Sequence, residues 1–181
     1  PVPPTPFYSA PPVAQATASP AETLRPSDVL ASADALPESA RWAVMMPVAE
    51  ELMGRLNDER AAIGLPPLTP SDALVEIAFA RAEDMTARSY LAHQDPLTGR
   101  TLPLDLMAEA GFGGSLAETL FATSVPMDDV AATTLAAWLT SPSHRDTILS
   151  PGYRFVGSGI MGDSNAWRVV LLLAENEPIP R

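Results

Sequence analysis

Two histidines, His93 in YLAHQD and His144 in SPSHRDTIL, are the chain's only imidazoles, and it contains no cysteine. Imidazole titrates near neutral pH and is the commonest metal ligand, so with thiol chemistry removed most catalytic schemes must pass through these two positions. The stretch from Ser141 to Leu149 gives His144 a defined setting. Ser141 reads as a helix N-cap, Pro142 as the first helical residue, and His144 falls in the first turn of a short helix. His93 follows an apolar periodic run that should end near Arg88, which places it in a turn just beyond a helix C-terminus. The two are far apart in the chain and no H-E-x-x-H motif links them, so spacing alone does not bring them together.

The 181 residues suffice for one domain of ordinary size and an appendage. Hydrophobic residues make up 46%, yet no apolar run approaches the roughly 20 residues of a membrane-spanning helix, so the chain reads as soluble with a real core. Acidic residues outnumber basic ones by 22 to 11, and the basic ones are arginines scattered singly along the chain. A net charge of −11 repels phosphate backbones and anionic lipid heads, which excludes nucleic acid as a partner. Lack of cysteine rules out a disulfide framework and Cys-ligated zinc, but it leaves the compartment open. Pro1 in place of Met implies that an initiator and a signal peptide have been removed, compatible with an extracytoplasmic address.

Residues 1–40 differ from the rest: nine of the 20 prolines fall within the first 37 positions, among Ala, Ser and Thr. This composition favours extended polyproline II and cannot bury a core, so the segment reads as an arm or linker. If it docks, Phe7, Tyr8, Val13 and Leu24 are its candidate anchors. A compact domain is expected over 46–175, followed by a short tail at 176–181. Its first helix should start near Met46 with Pro47 in the first turn. Val48, Leu52, Leu56, Ala61 and Ile63 form its apolar face, and Gly64 is its stop. Asn57 and Arg60 in this helix are expected to tie it to its neighbours. A second helix should be capped by Thr69, with Pro70 first and Leu74, Ile77, Ala78, Ala82 and Met85 along one side. A shorter helix follows from Thr101, with Pro103 early and Gly111 as its stop.

FGGSLAETLF, which carries Glu118, has too many glycines for a helix and reads as a loop leading into extended chain. Pro126 should open a further helix with Val130, Leu135 and Trp138 inward. YRFVGSGIMG and AWRVVLLLAE read as strands joined by a turn at residues 162–165. Helices in a run before a hairpin suggest α+β, with helices packed on a small antiparallel sheet. Trp138 and Trp167 are expected in the core, their indole N–H groups needing partners. Gly157, Gly159 and Gly162 satisfy G-x-G-x-x-G, but a strand follows where a dinucleotide fingerprint needs a helix. Gly113 to Ala117 only loosely mimics a nucleophile elbow around Ser115.

The order LNDERAAIGLPPL, DMTARSYLAH, GGSLAETL, AAWLTSPSHRDTIL, FVGSGI and a closing Trp strand resembles the bacterial branch of the CAP superfamily, also called SCP/PR-1-like, over about residues 52–174. The resemblance implies an α-β-α sandwich of the CAP/SCP type with a cleft between helices and sheet, and it implies export. The family's cleft gathers two His and two Glu, of which three carry over by position: His93, Glu118 and His144. Ser141 stands where many eukaryotic members have the second Glu. Thr119 replaces the usual Asn and Ser143 the usual Gly, while Arg168 and Val169 follow Trp167 where Thr and Gln are common. The site is therefore leaner than the family's fullest version.

If His93, Glu118 and His144 converge, they could form an open zinc site or a hydrogen-bonded network in which Glu118 holds an imidazole as a cation. Three functions follow. The favoured one is an exported, non-catalytic module that binds another protein or a multi-subunit assembly, with residues 1–40 as the tether. The second is a hydrolase or peptidase assisted by a divalent cation such as zinc on His93, Glu118 and His144. The third is a carrier of lipid or another small apolar ligand, favoured by an apolar groove away from the histidines.

Overall fold

The computed structural model describes residues 38–162 and 166–178. The expected arm therefore lies outside the described residues up to position 37, as do residues 163–165 of the hairpin turn and the last three of the tail. The elements are α1 (Glu38–Ala62), β1 (Thr69–Pro70), α2 (Asp72–Ala87), α3 (Leu102–Glu109), β2 (Gly113–Thr123), α4 (Val130–Thr140), α5 (Pro142–Ile148), β3 (Phe155–Gly162) and β4 (Trp167–Asn176). A 3-10 turn at Met127–Asp129 leads into α4.

The sheet order is β1-β3-β4-β2, with β3 and β2 both antiparallel to the central β4. Along β4, every residue from Val169 to Ala174 is fully buried. A strand alternates its side chains between two faces, so this run shows that both faces are covered, as in the expected α-β-α sandwich. On one edge the sheet is not antiparallel: β1 pairs with β3 in parallel over two residues.

That pairing corrects the expected start of the second helix. Thr69 and Pro70 belong to β1, and Ser71 occupies the N-cap position of α2. The N–H groups of Thr69 and Ser71 donate to the carbonyls of Arg154 and Val156 at 2.8 and 2.9 Å. Pro70, lacking an N–H, falls at the alternate position that faces away from β3, so its missing donor costs the ladder nothing. A second correction concerns α1, which begins at Glu38, so that Pro47 lies inside it. Proline removes an N–H and crowds the carbonyl four residues back, here that of Ala43. Both residues are exposed, so water can serve that carbonyl.

Val48, Leu52 and Leu56 are buried as expected, but Ala61 is exposed and Ile63 is 58% exposed. The buried residue at this end is Arg60. Its guanidinium donates to the carbonyls of Pro66, Ile148 and Ser150 at 3.1, 3.0 and 2.9 Å, and to that of Tyr153 at 3.5 Å. Asn57 holds both backbone groups of Leu68, at 2.8 and 3.0 Å. These are the tying roles expected of Asn57 and Arg60.

A third correction is β2, which extends through the glycines expected to form a loop. Gly114 takes φ +73° where the register with β4 shifts between Gly113 and Leu116, a backbone setting that favours glycine and lets the strand bulge without ending. The G-x-G-x-x-G run, by contrast, is packing. A Cβ on Gly157 would lie 2.3 Å from the carbonyl carbon of Leu74, so α2 seats its backbone directly on β3. Trp138 and Trp167 are buried, and their indole N–H groups donate to the carbonyls of Leu120 and Val125 at 3.2 and 3.0 Å.

Candidate functional site

Glu118 sits mid-strand on β2, opposite Leu172 of β4, with a side chain only 2% exposed. A carboxylate there needs compensation, because desolvation disfavours its charged form. It receives two partners. Arg81 of α2 donates Nε–H to Oε1 at 3.2 Å, and His93 places Nδ1 2.7 Å from Oε2. When Glu118 is ionised its carboxylate only accepts, and His93 then donates to it through Nδ1. The imidazole is 57% exposed while the two groups behind it are dry.

Arg81 is a member of the site that motif reading does not supply, although it lies seven residues after Leu74 and three after Ala78, on the apolar stripe of α2. A basic residue at such a position announces a buried acid. Its side chain is 1% exposed, and the guanidinium also bonds Tyr90 Oη, the carbonyls of Ala92 and His93, and Asp84 at 3.5 Å. One cation therefore joins β2 to both ends of the turn that carries His93. Tyr90 Oη donates to Asp84 and accepts from Arg88 at 2.9 Å, and Arg88 extends the network to Asp84 at 2.7 Å and to Asp95. Arg168 of β4 donates to the carbonyl of Tyr90 at 3.1 Å.

The turn itself is a Schellman-type ending of α2: Tyr90 N–H donates to Met85 O at 3.0 Å and Ser89 N–H to Thr86 O at 3.2 Å. The left-handed position is filled by Ser89 at φ +54°, where glycine is usual. Ser89→Gly is expected to stabilise the domain by about 1 kcal/mol, because it relieves that conformation, and to leave the His93 turn in place. The shift in thermal midpoint measures it, and a fall in midpoint would contradict this account.

His144 lies where expected, in the first turn of α5, but Ser141 does not cap that helix with its side chain. Ser141 Oγ instead lies 2.9 Å from His144 Nδ1. Ser141 thus meets the imidazole through a neutral hydroxyl. The structure brings Glu118 and His93 together and gives His144 a separate partner. Among the described residues no group of three or more His, Asp or Glu side chains stands close enough to hold a metal ion.

The acids of the network titrate in opposite senses. Burial pushes the Glu118 carboxyl above its usual range, against the pull of His93 and Arg81. Hydrogen bonds from Arg88 and from the Thr98 and Leu97 amides hold Asp95 well below the carboxylate range. Burial pulls Asp84 upward as well, but its bonds to Arg88 and Tyr90 outweigh that and leave it lowered. A lowered acid gives stability that is present above its unfolded pKa of about 4 and is lost as pH falls through the folded value; a raised acid does the reverse. Asp95→Asn is therefore expected to flatten the acid limb of a urea-midpoint profile below about pH 4, since the amide has no proton to take up. An unchanged limb would show that the Arg88–Asp95 pair does not carry it.

Residues 53–173 match the CAP family, described as the cysteine-rich secretory protein family. The uncharacterized protein YkwD of Bacillus subtilis (strain 168) is 31% identical over 111 residues, covering 61% of this chain and 41% of that protein. The chain thus spans about two fifths of that relative's length. Among solved structures, an outer surface protein from Borrelia burgdorferi superposes with a TM-score of 0.62 at 21% identity, over 72% of this chain and 94% of that one. An extracellular protein containing an SCP domain from Bacillus anthracis str. Ames gives 0.59 at 22%, over 72% and 41%. At these identities the two structures establish the fold. No helix among the described residues is long and apolar enough to cross a membrane.

Proposed function

The chain belongs to the CAP, or cysteine-rich secretory protein, family, and from that premise we propose that it is an exported, non-catalytic binding module that docks on a larger extracytoplasmic protein assembly. In this reading the CAP domain is the rigid body and the proline-rich residues 1–37 are the tether. The observation that supports it most is the commitment of Glu118: one oxygen is held by Arg81 and the other by His93, so the acid of the family cleft serves as a structural tie. Export is supported by two solved relatives, one an outer surface protein and the other extracellular.

The test is co-purification from native envelopes of the full chain and of a chain lacking residues 1–37, which keeps α1 whole. The reading expects the deletion to lose the partner while its circular dichroism is unchanged; a deletion that keeps a stable complex overturns it. A second reading, metal-assisted hydrolysis, draws on one feature, the exposed imidazole of His93 with a buried carboxylate behind its Nδ1, an arrangement that elsewhere orients metal-bound histidines. Zinc titration by calorimetry decides between them. Binding lost in both His93→Ala and His144→Ala would favour the second reading.

A further inference from the structure

A groove of about 510 Å³ runs along α1 from Met46 to Asn57 and is walled on its far side by the start of α2. None of its lining residues belongs to the His93 or His144 clusters. Gly54 is among its lining residues, in the interior of a 25-residue helix, and apart from its chain neighbours and the adjacent backbone of its own helix no described heavy atom comes within 4 Å of where its Cβ would stand. Glycine is a poor residue for an exposed helix interior, and packing does not demand it here. What its missing side chain does is keep the groove open.

Met46, Met53 and Val75 make the lining apolar, and methionine adapts to varied partners. The charges are Glu50 and Asp72, and among the described residues neither carboxylate has a hydrogen-bond or ion-pair partner. On a chain of net charge −11 these carboxylates repel fatty acids and other anions and favour a cation. Eleven helical steps from Met46 to Asn57 span about 16 Å, the length of about five residues of extended peptide. Pro70 turns its donor-less position outward at the β1 edge, so an added strand finds no N–H there and recognition must fall to side chains. An extended segment sets residues i and i+2 on one face, which suits two apolar side chains on the floor with a basic one between them.

We infer that this groove receives an extended segment of a partner protein in which an arginine or lysine is flanked by apolar residues. The inference rests on the binding-module reading in that the occupant is a protein. The probe is the blocked pentapeptide acetyl-Ala-Leu-Arg-Leu-Ala-amide, added to the full chain while the methyl resonances of Met46 and Met53 are followed. Saturable shifts are expected, with affinity falling about tenfold as ionic strength rises to about 1 M. The same peptide with Glu for Arg should produce none.

Gly54→Leu puts a branched four-carbon side chain into the middle of the groove and should abolish the shifts while the thermal midpoint stays at or above that of the parent. The pair Glu50→Gln and Asp72→Asn should weaken binding about tenfold, by removing both exposed charges. No saturable shift, equal shifts with the acidic peptide, or binding that survives Gly54→Leu overturns the inference. So does binding of dodecyltrimethylammonium without the peptide, which would make the groove an amphiphile site. In the envelope assay, Gly54→Leu that keeps the partner while deletion of 1–37 loses it defeats the groove alone. A deletion that keeps the partner defeats the module reading instead.

Discussion

Arg81→Met is expected to cost about 3–5 kcal/mol at neutral pH, because it leaves the Glu118 carboxylate buried without its cation. Methionine fills much of the volume of the arginine stem, so a cavity is a minor part of the loss. The larger part is electrostatic and depends on pH. Burial already pushes Glu118 up, and Arg81 is one of the partners pulling it back down. Without that pull, protonation of Glu118 becomes the cheaper state, so the deficit should shrink as pH falls through the raised pKa of the variant.

Urea unfolding at neutral and at mildly acidic pH measures this directly. A deficit of the same size at both would assign the effect to lost packing or to the carbonyls of Ala92 and His93, which also lose their donor. Adding Glu118→Gln to Arg81→Met should recover part of the loss, since a neutral amide needs no cation. The double-mutant cycle then isolates the pair. His93 reads the same event from the surface: with its turn released from Arg81, its resonances should move toward those of an unrestrained histidine.

What the sequence discloses about this site, and what it withholds, follows from the range of each interaction. The positions of His93 after α2 and His144 at the start of α5 are local facts, set by caps and periodicity within a few residues, and they are legible. The meeting of Glu118 with His93 is not, because it depends on the register that places Glu118 opposite Leu172. Family resemblance supplies that acid; spacing does not. Arg81 escapes notice because arginines scattered along a chain suggest surface charge, although its place among Leu74, Ala78 and Ala82 marks it as buried. Arg60 teaches the same lesson on α1, where an apolar face drawn out to Ile63 runs one turn too far and passes over the buried polar anchor. The start of β2 is hidden for a different reason. Glycines argue against a helix, but they do not argue against a strand that bulges, and pairing with β4 decides the outcome.

Gly159→Ala should produce the second large effect, and it ties the fold to the site. A Cβ at this position of β3 would stand 2.2 Å from the backbone N of Phe79, 2.3 Å from the carbonyl carbon of Ala78 and 2.5 Å from its oxygen. These are backbone atoms of α2, which no rotamer change can move aside, so the helix must lift from the sheet. Lifting it exposes the lining around Ala78, Phe79 and Ala82, all fully buried. Overpacking of this kind costs about 3 kcal/mol, and more where backbone meets backbone. The neighbouring turn of α2 carries Arg81, so the same displacement should loosen its 3.2 Å contact with Glu118. Gly159→Ala is therefore expected to lower the urea midpoint strongly, and to perturb the His93 resonances although it lies on another element. Gly152→Ala is the control: its Cβ would meet only Ser150 Oγ, at 3.5 Å, and its midpoint should barely move. A destabilised Gly159→Ala with unperturbed His93 signals would mean that α2 yields locally and holds Arg81 in place by its bonds to the 89–93 turn. An unchanged midpoint would mean that the helix is not seated on β3 as closely as the glycines indicate.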